Sequence, residues 1–332
     1  MQIDFFNVLF TVISLIMLTV PAYILVKTKM LPTSAGEICS TLVLYGCQPV
    51  LVFMGFQKTA YDPQIGVNML IVAGLATVIH LVMILFAFTC VKNKNNEAKL
   101  NVVRYGTIFS NCGYMGFPFL QSLFSGEMMG EVLIYGSVVI TIFNILNWTV
   151  GVYIMTGDKK YMSLKKIVLN PTIIGAVLGF LVFCILKVPI VDLAQSGTTL
   201  DDAIEKIIDS LNVFGNMVTP LAMVVIGVRL ANVNLKQLFM DKWAYVVSVN
   251  KLVVMSLVSM LVTAFLPVDI LVKYTLFFLL SMPCATSTAM FAINFKSDGD
   301  AGSVFVLLTT VLSIAVIPLM FLVFTGVFGV VV

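Results

Sequence analysis

The chain has 332 residues, 60% of them hydrophobic and only 11% charged, with a formal net charge of +3. Soluble domains carry about 25% charged residues because their surfaces face water. A mean hydropathy of +1.07 therefore excludes a water-soluble fold and makes lipid the solvent for most of the surface.

Ten apolar runs approach the roughly 20 residues that a membrane helix needs. They are predicted at 4–27, 37–57, 66–91, 104–123, 131–155, 167–188, 208–230, 243–266, 270–293 and 302–330. The first begins without a basic region, its first charge being Asp4. It is too long for the apolar core of a leader and reads as a retained span. Span 2 carries Gln48 before Pro49 and span 3 carries the single histidine, His80. Span 4 contains "SNCGYMGFPF", with two Gly and a Pro inside an apolar run. Span 5 carries Asn144 and Asn147. A surface helix is expected from Thr199 or Leu200 ahead of span 7, and span 8 contains Lys251. Span 9 is interrupted by "SMPCATSTAMF". The six cysteines lie in or beside apolar segments without metal-ligand spacing, and read as small packing residues.

With the amino terminus outside, fourteen of the nineteen Lys and Arg residues fall in cytoplasmic loops, Arg229 among them. Four fall outside, and Lys251 lies within a span. By the positive-inside rule both termini face out, in a multi-pass protein of the plasma (inner) membrane.

Ten spans divide into two halves of five, and an odd number forces the second half to enter the membrane from the opposite side. Span 4 and its counterpart span 9 are both rich in helix breakers. Paired interruptions in inverted halves point to the binding site of a secondary transporter. Pro118 lacks an amide hydrogen, which places the first break there, and Gly113 and Gly116 let the backbone open. Two broken helices crossing near the midplane would turn two half-helix amino ends, each about half a positive charge, toward one cavity. Such a cavity suits an anion. Its neutral polar lining would be Asn111 and Tyr114 at one break, Thr286, Ser287 and Thr288 at the other, and Gln48 and Asn147 from spans 2 and 5. Asn111 is the leading ligand. Single polar residues of this kind also serve as helix-to-helix glue.

All sixteen acids lie in loops or near span ends. This argues against a cation exchanger built on a midplane carboxylate pair. Lys251, about nine residues or roughly 13 Å into its span, either snorkels to the interface or faces the bundle as counter-charge or support. His80 is either a hydrogen-bonded structural residue or a proton-coupling group.

With these residues in hand, the chain resembles the auxin efflux carrier family, which includes plant auxin carriers and bacterial permeases for malate and malonate. The resemblance rests on "GEICSTLVLYGCQPVLVF", "NCGYMGFPF", "LNPTIIGAVLGFLVF", "TPLAMVVIGVRL" and "MPCATSTAMFAINFKSDGDAGSVFVLLTTVLSIAVIPL", in that order. It implies an all-α membrane fold of ten helices in two inverted five-helix repeats, with crossed broken helices 4 and 9, as in sodium/bile-acid symporters. It further implies elevator-type alternating access and a homodimer. Residues 1–65 and 159–239 would form the scaffold, and 66–158 and 240–332 the transport unit. Asn111 and the Gly113–Pro118 break would bind the substrate carboxylate, with Pro283 and Ala285–Thr288 as the opposite wall. The plant Asn-Pro-Asn-x-Tyr pattern and a long loop after span 5 are missing, which favours a bacterial-type carboxylate permease over an auxin carrier.

The expected function is secondary transport of a small organic anion, a mono- or dicarboxylate, with possible H+ or Na+ coupling. Sodium symport on the same fold, with Ser287 and Thr288 helping to hold the ion, is the alternative, and a non-transporting sensor is a further one. No enzymatic activity, metal, cofactor or nucleic-acid partner is expected: there is no phosphate-binding Gly-rich loop and no basic stripe with interleaved aromatics.

Overall fold

The computed structural model describes residues 3–92, 96–188, 190, 199–233 and 235–328, and these are helical throughout with no strand among them. In chain order the main helical segments are α1 (Phe5–Lys27), α2 (Ala35–Gln57), α3 (Pro63–Cys90), α4 (Glu97–Ile108), α5 (Phe117–Leu123) and α6 (Met128–Thr156). They continue with α7 (Lys159–Leu186), α8 (Asp202–Asn232), α9 (Lys242–Ala264), α10 (Ile270–Ser281), α11 (Ser287–Asn294) and α12 (Gly299–Gly326). Eight of these, namely α1, α2, α3, α6, α7, α8, α9 and α12, are long and apolar enough to cross a membrane. The spans expected at 104–123 and 270–293 are each in two pieces, α4 with α5 and α10 with α11.

Several predicted boundaries shift for local reasons. Span 4 starts earlier, at Glu97, because the Asn96 side chain accepts the Lys99 amide at 2.9 Å and starts the helix there. Span 6 stops at Leu186, two residues short, where Lys187 turns left-handed at φ 58°. The helix expected on the surface from Thr199 runs to Asn216 and leads almost directly into Val218–Asn232, so it forms the first part of α8. The last residues predicted for span 10 lie outside the described residues.

The acids noted near span ends cap helices. Asp62 accepts the Gln64 amide at 2.8 Å, Asp241 that of Trp243 at 2.9 Å and Asp269 that of Leu271 at 2.7 Å. Among the described residues, no Asp or Glu side chain is buried.

Among the described residues, four π-helical turns interrupt the regular ladder, at Val43–Cys47, Cys112–Gly116, Asn147–Gly151 and Asn250–Val254. They fall on the polar residues picked out from the sequence. Gln48 follows the first, Gly113 and Tyr114 lie in the second, Asn147 opens the third, and Lys251 lies in the fourth. Wide turns of this kind are frequent at functional sites.

Glycines set the closest helix approaches. A Cβ on Gly175 of α7 would lie 2.4 Å from the Pro49 carbonyl oxygen of α2, and one on Gly227 of α8 would lie 2.3 Å from the Thr19 carbonyl oxygen of α1. Gly215 of α8 faces Leu51 of α2, where a Cβ would be 3.1 Å from the Leu51 Cα. Backbone cannot yield as a flexible side chain can. Gly175→Val is therefore expected to destabilise the protein by about 1–3 kcal/mol or more through overpacking, read as a lower thermal midpoint in detergent.

Candidate functional site

The two interrupted spans meet in the interior. Ser110 and Cys284 form an isolated antiparallel bridge. The Asn111 amide donates to the Pro283 carbonyl at 2.7 Å, and the Ala285 amide to the Phe109 carbonyl at 2.9 Å. Backbone that leaves a helix inside a membrane must find partners in protein or water; here each break satisfies the other. The Cys284 amide finds a third partner in the Thr309 hydroxyl of α12 at 3.1 Å.

The first break lies at Phe109–Asn111, upstream of the position expected from Pro118. The chain leaves α4 at Phe109 (ψ 124°), turns at Asn111 (φ −79°, ψ 48°) and re-enters helix through the π-helical turn at Cys112–Gly116. Pro118 sits in the first turn of α5, where its missing amide hydrogen is tolerated. The corresponding proline of the second break, Pro283, lies within the break itself.

Around the crossing the predicted residues sort by partner. Asn111 is buried, and its Nδ2 has no hydrogen-bond partner among the described residues; the same holds for Gln48 Oε1. Gln48 packs against the first break, since a Cβ on Gly113 would lie 3.3 Å from Gln48 Nε2. The Tyr114 hydroxyl pairs with that of Ser40 on α2 at 2.5 Å. Gly116 faces Leu279 of α10. Ala285 and Thr286 are buried in the second break.

Asn147 and Ser287 turn instead to Tyr105 of α4. Its hydroxyl donates to Asn147 Oδ1 and pairs at 2.8 Å with Ser287 Oγ, whose hydroxyl supplies the other proton, tying α4, α6 and α11 together. Thr288 Oγ1 lies 3.1 Å from Cys284 Sγ. Tyr105 was missed because a lone Tyr near a span end carries no sequence signal.

Lys251 is fully buried. Its ammonium donates to Ser110 Oγ at 2.6 Å and to the Leu280 carbonyl at 3.0 Å, joining the first break to the carboxyl end of α10. Of the two positions open to it from sequence, it takes the one facing the bundle. His80 is also fully buried: Nδ1 pairs with the Ala76 carbonyl at 2.7 Å, and Nε2 is unpartnered among the described residues.

Arg229, expected among the loop cations, instead lies in the last turns of α8, half-buried, with Nη1 donating to the Thr286 carbonyl of the second break at 2.9 Å. Charge counting cannot separate a residue just inside a span from one just outside it. Two surface clefts, one lined by Asn7, Ser14 and Ser122 and the other by Phe56, Ser137 and Phe180, do not include the crossing.

This arrangement can bind an anion. It offers two half-helix amino ends, a buried side-chain donor at Asn111, the buried Lys251 and the half-buried Arg229, with no buried carboxylate among the described residues. Among those residues, no group of His, Cys, Asp and Glu is placed to hold a metal ion.

A search of the curated proteins returned no match. One protein family, described as "Membrane transport protein", matches the chain twice, over residues 7–165 and 155–321, so that nearly the whole length is covered by two repeats. The chain thus belongs to this family of membrane transporters, the auxin efflux carrier family.

Proposed function

We propose that this multi-pass membrane protein is a secondary transporter of a small organic anion, a mono- or dicarboxylate, working by an elevator-type movement. The observation that carries the reading is the unpartnered Asn111 Nδ2, buried beside two half-helix amino ends. A buried donor left without an acceptor costs about 1–3 kcal/mol, and a carboxylate oxygen would remove that penalty. Counting each interrupted pair as one span gives ten spans, and one interruption in each half fits two inverted repeats.

The packing supports a scaffold of α1, α2, α7 and α8, which approach one another through Gly175, Gly215 and Gly227. The interrupted helices and α3, α6, α9 and α12 would move against it as the transport unit. The homodimer, the orientation with both termini outside and the placement in the plasma (inner) membrane belong to the same reading. The sodium-coupled alternative has less to support it: the Ser287 and Thr288 hydroxyls already have partners, and the Leu280 carbonyl is taken by Lys251.

The test is uptake of labelled small carboxylates into proteoliposomes, with thermal stabilisation by the same compounds. Asn111→Ala is expected to lose flux and stabilisation by about tenfold or more, in line with loss of a hydrogen bond to a charged group, while its unliganded thermal midpoint stays within a few degrees of wild type. Wild-type transport by that variant refutes the site.

A further inference from the structure

We propose that Arg229 is the charged anchor of the transported anion, and that the anion binds by taking the guanidinium from the Thr286 carbonyl. This rests on the organic-anion reading above and adds to it the one charged side chain that would contact the substrate.

A guanidinium carries five donors in a planar fork that matches a carboxylate two bonds at a time. Only one hydrogen bond of Arg229 is found among the described residues, the 2.9 Å contact from Nη1 to the Thr286 carbonyl. No ion pair engages it among those residues either. The acid it senses is Glu37 on α2, beyond ion-pair distance, and Tyr114 at the first break is also within its electrostatic reach. Arg229 thus touches the second break and neighbours the first, with most of its donors without a partner among the described residues. A cation held there beside two positive half-helix ends is repelled by them, and an anion between them turns that repulsion into attraction. The second observation pointing to a ligand is independent: Asn111 Nδ2 is buried at the same crossing and lacks an acceptor.

The contact also ties α8 to the second break. Arg229 is on α8, which lies against α1 through Gly227 and against α2 through Val228 and Gly36. Thr286 directly precedes α11, which packs on α12. If α8 and the second break move past each other, the contact from Arg229 to Thr286 must open. An arriving carboxylate accepts two charge-assisted bonds from the fork and releases the carbonyl, so binding and unlatching become one event. A lysine at this position would keep the charge but lose the fork.

The experiment uses the full-length protein in detergent and in proteoliposomes, with malonate, succinate, acetate and lactate as probes. Wild type, Arg229→Lys and Arg229→Gln are compared for unliganded thermal midpoint, half-saturating concentration and maximal flux. Arg229→Lys is expected to raise the half-saturating concentration by about tenfold, and Arg229→Gln by about a hundredfold, the range set by hydrogen bonds to a charged group. The unliganded midpoint is expected to stay close to wild type in both. A purely structural role would lower the midpoint and leave half-saturation unchanged, which overturns the proposal. Unchanged half-saturation in folded Arg229→Gln overturns the anchor while the anion reading stands. If that variant does not fold, unchanged half-saturation in Arg229→Lys has the same force. Wild-type protein that neither binds nor moves any of the probes overturns both.

Discussion

Replacing Lys251 with methionine is expected to leave the purified protein at least as stable as wild type and to abolish its transport. The ammonium is fully buried, and among the described residues it has no carboxylate partner. Removing an ion from water costs several kcal/mol even after relaxation. The two hydrogen bonds it makes, to Ser110 Oγ and the Leu280 carbonyl, return about 1.5–3 kcal/mol each. The carbonyl does not depend on Lys251 alone, because Ser110 Oγ also donates to it at 2.9 Å. Methionine, unbranched and adaptable, fills similar space without charge and leaves that carbonyl bonded. Buried ions replaced by apolar side chains often give neutral or higher stability, by about 1–4 kcal/mol. A charge kept against stability is expected where function requires it, and this one sits where the two interrupted spans are pinned together. Thermal midpoint and carboxylate flux on the same preparation decide the matter. A variant that melts many degrees early yet transports normally would make Lys251 a structural residue and nothing more.

Much of this architecture is legible in the sequence because membrane spans announce themselves by length and apolarity. Eight continuous helices and two interrupted ones follow from hydropathy together with the Gly and Pro content at 113–118 and near 283. Position within the interruption is less legible. The glycines and Pro118 mark the neighbourhood, but the non-helical residues are Phe109–Asn111, where only the partner segment determines that helix stops. Ser110 and Cys284 pair across a separation of 174 residues, and no local propensity encodes such a contact. The candidate site divides in the same way. Asn111 was readable as a polar residue next to a break. Arg229 and Tyr105 were not, because their roles depend on which face of the helix meets the crossing. The π-helical turns also escape sequence reasoning, since a single extra residue per turn leaves the apolar pattern nearly unchanged.

The same geometry predicts opposite outcomes for two proline substitutions at the crossing. Ala285→Pro is expected to prevent accumulation of folded protein, whereas Pro118→Ala is expected to fold and transport. The Ala285 amide donates to the Phe109 carbonyl at 2.9 Å, one of the two backbone bonds that join the interruptions. Proline at 285 removes that donor and sets its ring against the facing strand-like segment. It leaves the Phe109 carbonyl without this partner at membrane depth, where an unsatisfied group costs several kcal/mol, a large part of the about 5–15 kcal/mol that typically separates folded from unfolded protein. Pro118 has no such duty. It follows the wide turn at Cys112–Gly116 and lies in the first turn of α5, so alanine there restores an amide without breaking any existing bond. The loss is about two buried methylenes, roughly 1–2 kcal/mol. Yield of monodisperse protein and its thermal midpoint separate the two cases. If Pro118→Ala were the variant that failed and Ala285→Pro the one that folded, the interruption of the first helix would owe more to its own proline than to the segment crossing it.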